Sequence, residues 1–214
     1  MKIDIEKIII DKKQVLNFLG YSNRKIPPII MKKVDEEIEK SHNLLKPVVF
    51  SKQFQIDKIQ GENVYFEKEY CLKGDYFAKE LEGSSSIYLV VYSIGNNIEE
   101  KINEYSNSSE MIRAMILDKI GVVALDNIRQ HIKKVIIKEV LPYKISAQLF
   151  PGSKDIDVSN QKIILDVFKE ENNIISISKY YQLNPIKTVA VIFGIGNVED
   201  KKDMCDRCNN KCFI

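Results

Sequence analysis

Three of the four cysteines in this 214-residue chain fall within eight residues near its end. Cys205, Cys208 and Cys212 stand in the run Cys-Asp-Arg-Cys-Asn-Asn-Lys-Cys. A Cys-x2-Cys turn aims two thiolates at one point, and a third cysteine four residues on adds to the set. That is chemistry for a zinc ion or an iron–sulfur cluster. Either group normally takes four ligands, so one position is left for Cys71, a non-protein ligand or a partner protein. The order Cys-x2-Cys-x3-Cys differs from the Cys-x3-Cys-x2-Cys of radical enzymes. Only His42 and His131 are present, which rules out a His-rich metal site.

An apolar run that reads as a buried strand leads to this cluster. Ile186, Thr188, Val189, Val191 and Ile192 are β-branched, and the run closes on Gly194 and Gly196. Lys187 sits at its start. Its ammonium can bind an anionic group, or its stem can pack while the charge reaches water. Gly194 and Gly196 do not complete a Gly-x-Gly-x-x-Gly pattern and no helix follows, so no dinucleotide fingerprint is present. No Ser/His/Asp triad or paired-carboxylate site is legible.

Composition narrows the class. Hydrophobic residues make up 44% and charged residues 29%, which suits a globular domain and argues against wholesale disorder. A net charge of +2 lacks the basic excess expected of a nucleic-acid or membrane-surface binder. No apolar run approaches the length of a membrane span. Acidic Asp4 and Glu6 stand where a signal peptide would have its apolar core, which points to the cytoplasm. In a reducing compartment, clustered cysteines favour metal or redox chemistry over disulfides.

The elements that must position these groups follow in order. Asp11 to Gln14 reads as a capping box, with a helix through Leu19 ended by Gly20. Pro27-Pro28 opens a second helix, stopped by Pro47, with Ile29, Ile30, Val34, Ile38 and Leu44 inward and its Glu and Lys residues in water. Val48–Phe50, Phe54–Ile56 and Val64–Phe66 read as short strands with a turn at Gly61 to Asn63. A short helix is expected from an Asp75 N-cap to Leu81, stopped by Gly83. Ile87 to Tyr92 is the clearest strand, and a helix begins near Asn96.

The longest helical pattern runs from about Ser108 to Val140. Met111, Ile112, Met115, Ile116 and Ile120 among others predict burial on much of its surface. Gly121 inside it predicts a close approach by another element. Asp118 reads either as a buried, hydrogen-bonded carboxylate or as an exposed one. A strand at Tyr143 to Leu149, a turn at Pro151 to Ser153, a helix capped by Asp157 or Ser159, and a strand at Ile174 to Ile177 complete the chain. Cys71 reads as a small core residue, and both histidines as solvent-facing. Strands and helices alternate without a βαβ rhythm, which predicts an α+β domain.

Several fragments together resemble a known family. They are Leu16-Asn-Phe-Leu-Gly-Tyr21, Ala78 to Gly83, Tyr92 to Glu100, Ile116-Leu-Asp-Lys-Ile-Gly121, Pro151-Gly-Ser153, Gln161, Pro185 to Val189, and Gly194 to Gly196 followed by the cysteine tail. In order and spacing they resemble the activation domain of cobalamin-dependent methionine synthase, here as a stand-alone chain. The resemblance implies a twisted antiparallel sheet flanked by helices over residues 1–198, with a helical part up to about residue 46. A Cys-rich tail follows at 199–214. It implies an accessory role in the reductive methylation that restores an oxidised corrinoid, in place of a complete methyltransferase. S-adenosylmethionine and an iron–sulfur cluster or zinc are candidate cofactors. A flavodoxin or ferredoxin is a candidate electron donor.

The family's Arg-x-x-x-Gly-Tyr motif places Gly152 and Ser153 at the cofactor. Gln148 stands in the Arg position and Ser153 in the Tyr position. A guanidinium fork and a flat ring are thereby missing. Lys144, four residues before Gln148, is the candidate replacement cation, and Lys187 matches the family's recurrent lysine. No Asp-x-His-x-x-Gly corrinoid signature is present, so the cobalamin would be carried by a partner. The second reading is a non-catalytic module that docks on or caps a corrinoid protein, with a structural metal in the tail.

Overall fold

The computed structural model describes residues 8–153 and 156–197. The chain is α+β, built on a six-stranded antiparallel sheet. In chain order the elements are α1 (Lys12–Phe18), α2 (Pro28–Leu44), β1 (Val48–Gln60), β2 (Asn63–Phe66), β3 (Tyr70–Lys73), α3 (Asp75–Glu80) and β4 (Ser84–Ser93). Then come α4 (Asn97–Asn107), α5 (Met111–Glu139), β5 (Lys144–Leu149), α6 (Asn160–Val167), β6 (Ser176–Ile177), β7 (Leu183–Asn184) and β8 (Thr188–Gly196). The sheet order is β3-β2-β1-β4-β8-β5, with β6 and β7 as a separate small hairpin. The apolar run before the cysteine tail is thus β8, held between β4 and β5.

Strand alternation explains the two cores. Along β4 and β8, Val90, Tyr92, Val191, Phe193 and Ile195 face one side with α1, α2, α4 and α5. Ile87, Leu89, Val91, Ala190 and Ile192 face the other with β2, β3, α3 and α6. Strands buried on both faces read as continuous apolar runs, which is why Ile87 to Tyr92 and Val189 to Ile195 stand out in the sequence. α5 is buried round much of its girth because it meets the sheet on one side and α1, α2 and α4 elsewhere. No helix among the described residues is long and apolar enough to cross a membrane.

Local signals account for most boundaries. The Asp11 carboxylate accepts from the backbone N–H of Lys13 and Gln14, capping α1. β8 needs glycine for space. A Cβ at Gly194 would meet Leu81 Cδ2 at 2.6 Å, and one at Gly196 would meet the Gly83 carbonyl oxygen at 2.7 Å.

The structure corrects five local expectations. The two short strands after Pro47 are parts of one thirteen-residue strand, β1, because β4 pairs without a break along Val48–Gln55 and β2 takes over from Ile56. Gly74, not Asp75, is the N-cap of α3, and Asp75 lies in the first turn paired with Lys79 at 2.6 Å. Ile30, Val34, Ile38 and Leu44 of α2 pack on the core as expected, but Ile29 is 59% exposed, off the line of the fully buried Val34, Glu37 and Ser41. Glu37 does not face water. It is fully buried, since Tyr105 and Arg113 both donate to its carboxylate. Met111, Ile112 and Met115 are exposed, because the first turns of α5 bury only Ala114, Ile116 and Leu117.

Candidate functional site

The turn that follows β5 begins where the edge strand leaves the sheet. Gly152 has φ +83, a conformation that costs glycine nothing. Its N–H donates to the Ile156 carbonyl at 2.9 Å, and the Ser153 N–H donates to the Phe150 carbonyl at 3.1 Å. The Ser153 hydroxyl donates to the same carbonyl at 2.6 Å. Gly152 is exposed and Ser153 half-buried. The turn is therefore closed by its own bonds, and the Ser153 hydroxyl is committed to it.

Gln148 behaves differently. It is 3% exposed, and neither its Oε1 nor its Nε2 has a hydrogen-bond partner among the described residues. It stands opposite Phe193, which stands opposite Tyr88 on the next strand. The three therefore share the sheet face that α5 covers. Tyr88 donates to the Glu139 carboxylate at 2.7 Å, and burial together with that bond pushes its phenol up to about 12. A buried side-chain amide without partners costs about 1–3 kcal/mol. Gln148→Leu should therefore raise thermal stability by about that amount. A lower melting temperature in the Leu variant would mean that the amide is satisfied in solution.

The two lysines fall elsewhere. Lys144 begins β5, opposite Gly196, and is exposed. Gly152 and Ser153 lie beyond the other end of that strand. Lys187 precedes β8, which runs antiparallel to β5, so its backbone is at the same end as the turn. Its ammonium, however, is paired with the Asp118 carboxylate on α5. Burial opposes the charge on Asp118, but bonds from Lys187 and Lys119 hold its carboxyl below the usual range. The close approach that Gly121 predicted is to this lysine: a Cβ at Gly121 would meet Lys187 Cε at 3.1 Å. The Lys187 N–H donates to Glu99 at 2.8 Å, and its carbonyl accepts from Ser93 Oγ at 3.1 Å. Lys187 thus joins β8, α4 and α5.

The structure brings Gly152 and Ser153 together with Gln148 on one strand and its turn. It separates Lys144 from them and ties the Lys187 side chain to α5. Gln148 is the one of these residues whose side-chain polar groups are buried without a partner among the described residues. In the sequence it is legible only as a polar residue in an apolar strand.

Cys205, Cys208 and Cys212 lie outside the described residues. Cys71, on β3, is half-buried and donates to Asn63 Oδ1 at 3.5 Å. Among the described residues no group of three or more His, Cys, Asp or Glu side chains is arranged to hold a metal ion. His42 is exposed and His131 half-buried.

No family model matches this sequence, and no curated protein matches it. Solved structures do match the fold. One is the crystal structure of the MetH reactivation domain bound to AdoHcy, with a TM-score of 0.69 at 10% identity. The match covers 94% of this chain and 79% of that one. At such low identity the likeness is one of fold, and it agrees with the twisted antiparallel sheet flanked by helices expected from the sequence.

Proposed function

We propose that this chain is an accessory protein that docks on a corrinoid-bearing methyltransferase and serves the reductive reactivation of its cobalamin. The observation that carries this reading is the similarity of nearly the whole chain to a reactivation domain. The family fragments in the sequence and the cysteine tail support it. A corrinoid would come with the partner.

The residues at the β5 turn fit S-adenosylmethionine only in part. The Gln148 amide is a neutral donor and acceptor, and it is buried. It carries no charge to meet a carboxylate. Lys144 lies at the far end of the strand, and Lys187 is spent on Asp118. No methyl-transfer step is therefore assigned to these residues. The cysteine tail, loaded with an iron–sulfur cluster, would supply the electron that returns cobalt to its active state. The same departure at Gln148 favours the second reading, a docking or capping module that works without the nucleotide.

The test is made on full-length protein purified without oxygen. Iron, sulfide and zinc are measured first, with an absorption spectrum. The protein is then mixed with a cobalamin-dependent methyltransferase in its inactive cob(II) form, an electron donor and S-adenosylmethionine. Iron with a broad visible band and recovery of methylcobalamin are the expected results. Binding to the corrinoid protein without recovery, with zinc in place of iron, would leave the capping role. No binding to the corrinoid protein would end both readings.

A further inference from the structure

The last turns of α5 carry a patch that the core does not use. Ile132, Ile136 and Val140 are buried in the core. At about 100° per residue, Lys134, Ile137 and Lys138 then lie on the side of the helix turned away from it. Leu141 follows the C-cap Val140, four residues from Ile137 and three from Lys138, and continues that line. Lys134 and Lys138 are exposed, Ile137 is 44% exposed and Leu141 is 69% exposed. The chain then turns back into β5. The Tyr143 N–H donates to the Val140 carbonyl at 2.9 Å, and the turn presents Tyr143, 44% exposed, followed by exposed Lys144.

The charge of this corner is one-sided. From Gln130 to Lys144 the sequence has four lysines and one carboxylate, a net +3 in a chain whose whole net charge is +2. That carboxylate, Glu139, accepts from Tyr88 on the sheet at 2.7 Å, so it sits on the other flank of the helix. The small net charge, which spoke against a membrane-surface binder, is therefore an average over a local basic excess.

We propose that this corner makes a peripheral, reversible contact with an anionic lipid bilayer. Lys134, Lys138 and Lys144 meet the negative headgroups, and their stems lie along the apolar side chains. Ile137 and Leu141 enter the boundary between headgroups and acyl chains, and Tyr143 lies at that level with its hydroxyl in water. Shape favours lipid over an acidic protein. The apolar groups stand on a helix end and the turn after it, which is a convex place. A convex apolar tip flanked by lysines suits a surface that yields, whereas a folded partner would have to offer a matching pocket. Lys144 begins β5 and Gly152 lies beyond its other end, so the contact is remote from that turn.

Co-sedimentation of the full chain with vesicles tests this. Vesicles of phosphatidylcholine mixed with phosphatidylglycerol should bind the protein, and vesicles of phosphatidylcholine alone should not. Raised salt should weaken the binding. Lys134→Gln combined with Lys138→Gln should lower it about tenfold. Leu141→Gln should also lower it about tenfold, because an aliphatic side chain no longer leaves water. All three positions are exposed, so the melting temperatures should match the parent protein. Absence of binding to the anionic vesicles overturns the proposal, even if an acidic protein binds this corner. So does binding that falls with the lysines but ignores Leu141→Gln, which would be charge attraction without insertion.

Discussion

Arg113→Met is expected to destabilise the protein by about 3 kcal/mol, the lower end of what a broken buried ion pair costs. Glu37 on α2 is fully buried, and its carboxylate is held by Arg113 from α5 and by the Tyr105 hydroxyl from α4 at 3.0 and 3.1 Å. Burial and the bond to Glu37 push the Tyr105 phenol up to about 12, so it stays a donor at any ordinary pH. Lys40 approaches the same carboxylate only to 3.6 Å from an exposed position. Without Arg113 the buried charge keeps one neutral donor and a distant cation, which is why the cost is large but not at the upper end. For a chain of this size the melting temperature should fall by roughly 6–12 °C. Arg113→Met combined with Glu37→Leu removes both charges and should recover most of the loss, because an apolar pair needs no compensation. If the double variant is no more stable than Arg113→Met alone, the loss comes from packing of the Arg113 stem and not from the stranded carboxylate.

Cys208→Ser is expected to abolish corrinoid reactivation while the fold is retained. The argument is chemical. Serine keeps the size of the side chain but loses the thiolate, which is the ligand in both zinc and iron–sulfur sites. Cys208 is the middle member of Cys205-x2-Cys208-x3-Cys212, so its loss breaks the Cys-x2-Cys chelate as well as the three-ligand set. The two hydrophobic cores are built from residues between Ile8 and Ile195, so circular dichroism and the melting temperature are expected to match the parent protein. Metal content should fall with activity. Equal reactivation by variant and parent would remove the tail from the mechanism and leave the chain as a docking or capping protein.

The sequence by itself determined the class of fold. Strands buried on both faces must be apolar at every position, and Ile87 to Tyr92 and Val189 to Ile195 are. Asp11, Pro28 and Gly20 mark helix ends through local hydrogen bonding and φ restrictions that need no tertiary information. Gly121 announced a close approach, because a helix tolerates glycine in its interior poorly without a reason to keep it.

Tertiary structure alone decided the rest. That Val48 to Gln60 is one unbroken strand depends on β4, a partner distant in sequence, which leaves no periodic mark on that stretch itself. Glu37 reads as a surface residue until Arg113 and Tyr105, from two other helices, arrive to satisfy it. Lys187 reads equally well as an anion binder or a packed lysine, and Asp118, sixty-nine residues away, settles where its ammonium goes. Gln148 differs in kind. A glutamine in an apolar strand is ordinary if something bonds it, and only the assembled interior shows that none of the described residues does. Sequence records what each residue can do; which partner reaches it is a property of the packed chain.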